Sequence, residues 1–157
     1  MAFLQIDYKS EALMRGVNVK VILPSDGMAG KWEPPYKTLY LLPGYSATAT
    51  ELITYLGLRG QSELKGIAIV LPDGENLFYQ DLPDRMTFYS TYVGKELVEV
   101  TRKMLPLSTK REDTFIGGIS MGGYGALYNG FKYRDTFSKV VAFSPASVFC
   151  FFHLPGC

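Results

Sequence analysis

The most constraining stretch of this chain is a single turn, Gly118-Ile119-Ser120-Met121-Gly122, set between two patterned segments. Before it, Thr114 to Ile119 is an apolar, β-like run. After it, Gly123-Tyr124-Gly125-Ala126 opens a helix-forming pattern that reads to about Tyr133. A G-x-S-x-G on a tight strand-to-helix turn pushes the serine hydroxyl outward from a strained backbone. The residues two before and two after the serine then approach each other closely, which requires glycine at Gly118 and Gly122. The helix that follows aims its first N–H groups at the same point. Without chemistry, the same residues would still make a Gly-rich turn.

The rest of the chain reads as the frame for that turn. Segments 3–8 and 17–23 read as strands, with Val17, Val19, Val21 and Leu23 alternating with Asn18, Lys20 and Ile22. A short link joins them, so they form an antiparallel edge. Pro24 and Pro34-Pro35 punctuate a loop that carries the lone Trp32, read as a packing residue. Thr38 to Leu42 and Gly66 to Leu71 are short continuous apolar runs, the signature of strands buried on both faces. Thr48 and Glu51 have capping-box spacing, and predict a short helix with Leu52, Ile53 and Leu56 on one face.

Residues 73–88 read as a polar, aromatic loop. From about Ser90 to Leu105 the spacing turns helical, with Val93, Leu97, Val100 and Met104 as the apolar stripe and Pro106 as its stop. Lys139 to Ser144 is a further strand. Strands therefore alternate with helices from residue 38 onward. That predicts an α/β fold: a mostly parallel sheet with right-handed crossovers, helices on both faces and an antiparallel N-terminal edge. Ser120 falls at the carboxyl end of a strand, where ligands bind in open α/β sheets.

Composition narrows the partners. The chain has 157 residues, is 47% hydrophobic and carries a net charge of +1, with acids and bases interspersed. That suits one globular domain and gives no electrostatic reason to expect nucleic acid or an anionic membrane as partner. No apolar run approaches the ~20 residues of a membrane span. The N-terminus, Met1-Ala2-Phe3-Leu4-Gln5, lacks the basic and apolar regions of a signal peptide, so a cytoplasmic location is expected. The two cysteines, Cys150 and Cys157, read as free thiols, without the partners of a zinc site. Neither a metal nor a cofactor is expected.

Several segments together resemble a known family: Leu41-Leu42-Pro43-Gly44-Tyr45, Leu71 to Gly74, Phe78 to Asp81, Leu105 to Ser108 and Gly117 to Ala126. They are similar to the tributyrin-esterase branch of the α/β-hydrolases, relatives of esterase D or S-formylglutathione hydrolase. The similarity runs from about residue 2 to about residue 147. It implies an α/β-hydrolase fold and a short-chain serine carboxylesterase acting on small-molecule esters, with Ser120 as nucleophile. The oxyanion hole it implies is the N–H of Met121 with the N–H of Tyr45, beside Gly44. The family carries His-Gly where this chain has Pro43-Gly44.

The resemblance also implies a triad acid and histidine on later strands. After Ser120 this chain holds one acid, Asp135, and the protein's single histidine, His153. Asp135 reads as a solvated surface acid. His153 lies in an apolar tail, Val148 to Cys157, unlike the family. The expectation is therefore an α/β-hydrolase segment over 1–147 that is incomplete at its C-terminus, an atypical tail over 148–157, and a chain inactive alone. Its last strand would leave an exposed sheet edge prone to self-association. Besides ester hydrolysis, a non-catalytic interaction module of the same fold and an acyltransferase stay open.

Overall fold

The computed structural model describes residues 1–25 and 32–146. Eight strands and five helices alternate along it. They are β1 Ala2–Ser10, β2 Arg15–Leu23, β3 Lys37–Leu42, α1 Ala49–Tyr55, α2 Leu58–Lys65, β4 Ile67–Pro72, β5 Asp81–Leu82 and β6 Thr87–Phe88, then α3 Tyr89–Thr91, α4 Leu97–Met104, β7 Thr114–Ile119, α5 Met121–Lys132 and β8 Lys139–Phe143. A π-helical turn, Tyr92–Glu96, joins α3 to α4.

Six strands form one sheet in the order β1-β2-β4-β3-β7-β8. β2 runs antiparallel to β1 and β4, and β3 is parallel to β4 and β7. β8 adds in parallel to β7. The sheet is thus mostly parallel beyond an antiparallel N-terminal edge, as the alternation of strand and helix predicts.

Two cores lie on its opposite faces. Along β3, Tyr40 and Leu42 face one core while Leu39 and Leu41 face the other. β4 divides in the same way, with Ala68 and Val70 against Ile69 and Leu71. This is why both runs are continuously apolar: a strand covered on both sides has no polar face. α1 and α2 cover one face through Leu52, Ile53 and Leu58. The other is covered by Tyr89, Tyr92, Val93, Leu97 and Val98, with Met121 and Ala126 from α5. Each fully buried aliphatic side chain stabilises by about 1.5–3 kcal/mol relative to exposure. The alternation along β2 holds at Val17, Val19, Val21 and Leu23, but Ile22 is also buried, because α1 and α2 reach the end of that strand.

Three local expectations need correction. Val100 is only partly buried and Met104 is 54% exposed; Val98 and Thr101 are buried instead. The π turn inserts one extra residue, which rotates the later part of the stripe by roughly 100°. Leu56 is exposed, because α1 ends there and Gly57 turns the chain into α2, a helix the sequence pattern did not reveal. The 73–88 segment is not wholly loop, since β5 and β6 pair as a small antiparallel ladder. The Thr48–Glu51 capping box is present in both halves. Trp32 packs against the core, and its indole N–H donates to Glu63 O at 2.7 Å.

β8 closes the described sheet, and its partner among the described residues is β7 alone. Val141 and Phe143 on it are 43% and 58% exposed. An apolar edge strand of this kind templates pairing with another chain. The 157-residue protein is expected to sediment as a concentration-dependent mixture above monomer mass, and Val141→Lys to shift it toward monomer. A single monomeric species at all concentrations would contradict this.

Candidate active site

Ser120 occupies the turn between β7 and α5, half-buried, with φ 54° and ψ −116°. A non-glycine residue there is strained by about 1–3 kcal/mol and persists only where its surroundings over-determine it. Those surroundings are backbone. The Ser120 N–H donates to Phe143 O at 2.9 Å, tying the turn to the end of β8. The Ser120 carbonyl accepts from Tyr124 N and Ala146 N, both at 3.0 Å. Tyr124 makes the first helical bond, so the N–H groups of Met121, Gly122 and Gly123 precede the ladder of α5. They carry the partial positive charge of the helix end beside the serine.

The flanking glycines sit where backbone meets backbone. A Cβ on Gly118 would overlap the Gly122 carbonyl, and one on Gly122 would overlap Leu42 O and Pro43 O. Gly44 is buried just beyond β3, where a Cβ would stand 3.2 Å from Ile119 O and 3.4 Å from the Ser120 Cβ. The end of β3, the Pro43-Gly44 loop and the Ser120 turn are therefore in direct contact. Met121 is fully buried beside the serine. Tyr45 follows Gly44; the residue is 58% exposed, with its ring tilted against Phe78 at 6.3 Å. Phe78 meets Tyr124 edge-on at 5.9 Å, and Tyr124 stacks on Tyr128 at 6.1 Å. The result is an aromatic row beside the serine.

The structure thus brings together Ser120, Met121, Gly118, Gly122, Gly44 and Tyr45. It does not bring Asp135 to them. Asp135 is exposed, beyond the far end of α5, and the helix alone spans about 18 Å at 1.5 Å per residue. His153 and both cysteines lie outside the described residues. Among those residues no three His, Cys, Asp or Glu side chains gather as metal ligands, and no helix is long and apolar enough to cross a membrane.

The chain matches the family described as "Putative esterase" over residues 10–150. It belongs to this esterase family. An acetyl esterase of Caldicellulosiruptor saccharolyticus is 39% identical over 94% of this chain, which spans 58% of that protein. Among solved structures, the fluorophosphonate-binding serine hydrolase F of Staphylococcus aureus superposes with a TM-score of 0.86 and 28% identity, over 99% of this chain and 62% of that one. The S-formylglutathione hydrolase of the same organism gives 0.83 and 29%, over 98% and 61%. The α/β serine-hydrolase fold is therefore shown. The chain spans about three-fifths of the length of these relatives.

The sequence pattern missed the polar network beneath the Ser120 turn. Asn129, fully buried on α5, donates to Tyr79 O at 3.1 Å and Gly125 O at 2.9 Å. It accepts from Ser90 Oγ at 2.8 Å. Lys132 bridges Ser90 Oγ at 2.9 Å and Asp81 Oδ2 at 3.0 Å. Asp81 also accepts from the Thr91 N–H and hydroxyl, at 2.9 and 3.0 Å. The only sequence signal for this network was Phe78 to Asp81 as part of the family resemblance. Partial burial pushes the Asp81 carboxyl upward, but the bonds from Thr91 and Lys132 outweigh it and hold the group below its ordinary range. A depressed folded-state value stabilises above the unfolded pKa and loses that contribution as pH falls through the folded value. The stability gap between the parent chain and Asp81→Asn should therefore be full at neutral pH and shrink below about pH 4 in denaturant titrations. A gap unchanged down to pH 2 would contradict this.

Proposed function

We propose that the chain carries the nucleophile half of a serine carboxylic ester hydrolase acting on small-molecule esters, with Ser120 as the attacking group. The observation that carries this reading is the strained, half-buried Ser120 at the head of α5, locked by backbone contact with the Pro43-Gly44 loop. Its Oγ would add to the ester carbonyl as its proton leaves to a base. The carbonyl oxygen would then gain negative charge. The N–H of Met121 faces that role from the helix end, and the N–H of Tyr45 from the loop. Collapse of the adduct would break the bond to the alcohol, which leaves with a proton. Water would later cleave the acyl-serine bond. The aromatic row of Tyr45, Phe78, Tyr124 and Tyr128 offers an apolar rim for the acyl or alcohol group.

A serine hydroxyl is a weak nucleophile until a base takes its proton. The described residues contain no histidine. We infer that the 157-residue chain by itself retains binding and oxyanion stabilisation but turns over slowly. Exposure to a fluorophosphonate reagent in alkaline buffer, where hydroxide stands in for the base, should label the parent chain at one residue, and Ser120→Ala should abolish the label. Short p-nitrophenyl esters should be hydrolysed at least ~10³-fold more slowly than by a complete serine esterase. Fast turnover lost in Ser120→Ala would show that a base is in place. Undiminished labelling of Ser120→Ala would remove the nucleophile assignment.

His153 is not assigned as that base. His153→Ala is expected to keep the residual esterase rate within about threefold, whereas removing a working general base costs 10²–10⁴-fold. A loss of that size in a folded variant would give the tail a catalytic part.

A further inference from the structure

We infer that Tyr79 is a positioning residue for the oxyanion loop, its buried hydroxyl holding the Pro43 carbonyl and so setting where the Tyr45 N–H points. The inference rests on the hydrolase reading above. Tyr79 is fully buried, and its hydroxyl donates to Pro43 O at 2.8 Å. Pro43 and Gly44 share one peptide plane, so the bond fixes that plane's rotation. Gly44 is in turn pressed against Ile119 O and Ser120. With both sides of Gly44 held, the next peptide, which carries the Tyr45 N–H, has little freedom.

Several contacts hold the tyrosine itself. Its ring fills the space where a Cβ on Gly125 of α5 would stand, and its hydroxyl fills the space beside Gly74. Tyr89 packs edge-on against it at 6.0 Å. Its backbone is left-handed, φ 57°, directly after Phe78 at φ 53°. Two consecutive non-glycine residues in that region are costly. The Asn129 side chain holds the second through the Tyr79 carbonyl. Asn129 belongs to the same helix that Ser120 begins, so the nucleophile and the oxyanion loop are referenced to one rigid element. Burial pushes the phenol pKa well up, so the hydroxyl stays a donor throughout the working pH range.

Tyr79→Phe removes this bond with little change of shape and leaves Pro43 O unpaired. The loop should then sample orientations that misdirect Tyr45. Oxyanion stabilisation is realised only in the transition state, so the loss should fall on the chemical step and not on binding.

Phosphonylation of the full chain in alkaline buffer, where hydroxide takes the serine proton, tests this without needing turnover. The serine oxygen forms a bond to phosphorus, the P–F bond breaks, fluoride departs and the hydroxyl proton passes to solvent. The phosphoryl oxygen occupies the oxyanion position. Tyr79→Phe is expected to lower the maximal labelling rate by about tenfold, less than the 10²–10³ for deleting a donor outright. The half-saturating reagent concentration should stay within about twofold. Tyr40→Phe is the comparison: it removes another buried tyrosine bond, 2.9 Å to Thr101 Oγ1, directed toward α4. It should lose stability and keep the parent's rate.

Equal rates for Tyr79→Phe and the parent would overturn this inference and leave the hydrolase reading intact. Equal slowing in Tyr40→Phe would also overturn it, since lost stability would then account for the effect. No labelling of the parent would overturn both readings. If Tyr79→Phe loses its cooperative unfolding transition, Asn129→Ser carries the same test through the Tyr79 carbonyl, and an unslowed rate there overturns the inference.

Discussion

The structure depends on a close passage of backbone against backbone. The carbonyls of Leu42 and Pro43, at the end of β3, run past Gly122, and Gly122 in turn lies against Gly118. β3 and β7 pair in parallel up to Leu42 and Gly118, so the sheet delivers both chains to the same point. A side chain at either glycine would push α5 off the sheet. The strain at Ser120 is held by this contact and by the bonds to Phe143 and Ala146. Sheet register and the serine's orientation are thus one constraint: a slip of β3 against β7 would displace the Pro43-Gly44 loop and the serine together.

The aromatic loop is the second half of that constraint. Residues 75, 76, 78 and 79 all have positive φ, although none is glycine. Such a segment has no intrinsic preference for its shape and must be held from outside. α5 supplies the hold through Asn129, Gly125 and Lys132, and Asp81 anchors the loop's far end to Thr91 and Lys132. The charge pair in this clamp is only partly exposed, at 39% and 21% of the two side chains. It is backed by three further charge-assisted hydrogen bonds, two from Thr91 to the Asp81 carboxylate and one from Lys132 to Ser90, and by the neutral bond from Ser90 to Asn129. Its contribution lies in geometry as much as in energy, since an isolated ion pair at such exposure is worth little.

Much of this was legible before the structure. The two-faced burial of β3 and β4 follows from uninterrupted apolar runs, and the serine turn from the spacing of Gly118, Ser120 and Gly122. What escaped was of two kinds. Val100 and Met104 were misplaced because one π turn shifts the helical phase, and no residue type announces such a turn. Tyr79 and Asn129 were missed because their partners are backbone carbonyls at Pro43, Gly125 and Tyr79 itself, and a carbonyl leaves no signature in sequence. α2 was missed because Gly57 and Gly66, both left-handed, bracket a segment too polar and too short to show a periodic stripe.

α5 shows how far local preference gives way to the site. Its sequence, Met121 to Lys132, includes glycine at 122, 123, 125 and 130. Each glycine inside a helix costs about 1 kcal/mol relative to alanine, so this segment is a poor helix by itself. Three of the four admit a neighbour that a methyl group would exclude: the β3 carbonyls at Gly122, the Tyr79 ring at Gly125 and Val140 of β8 at Gly130. The helix is therefore stabilised from outside, by the sheet on one side and the aromatic loop on the other. Its N-terminal groups are ordered only when those contacts form. The anion-stabilising end of α5 and the packing of Tyr79 and Val140 are consequently coupled, and substitutions remote from Ser120 on the underside of α5 act on the serine through the helix itself.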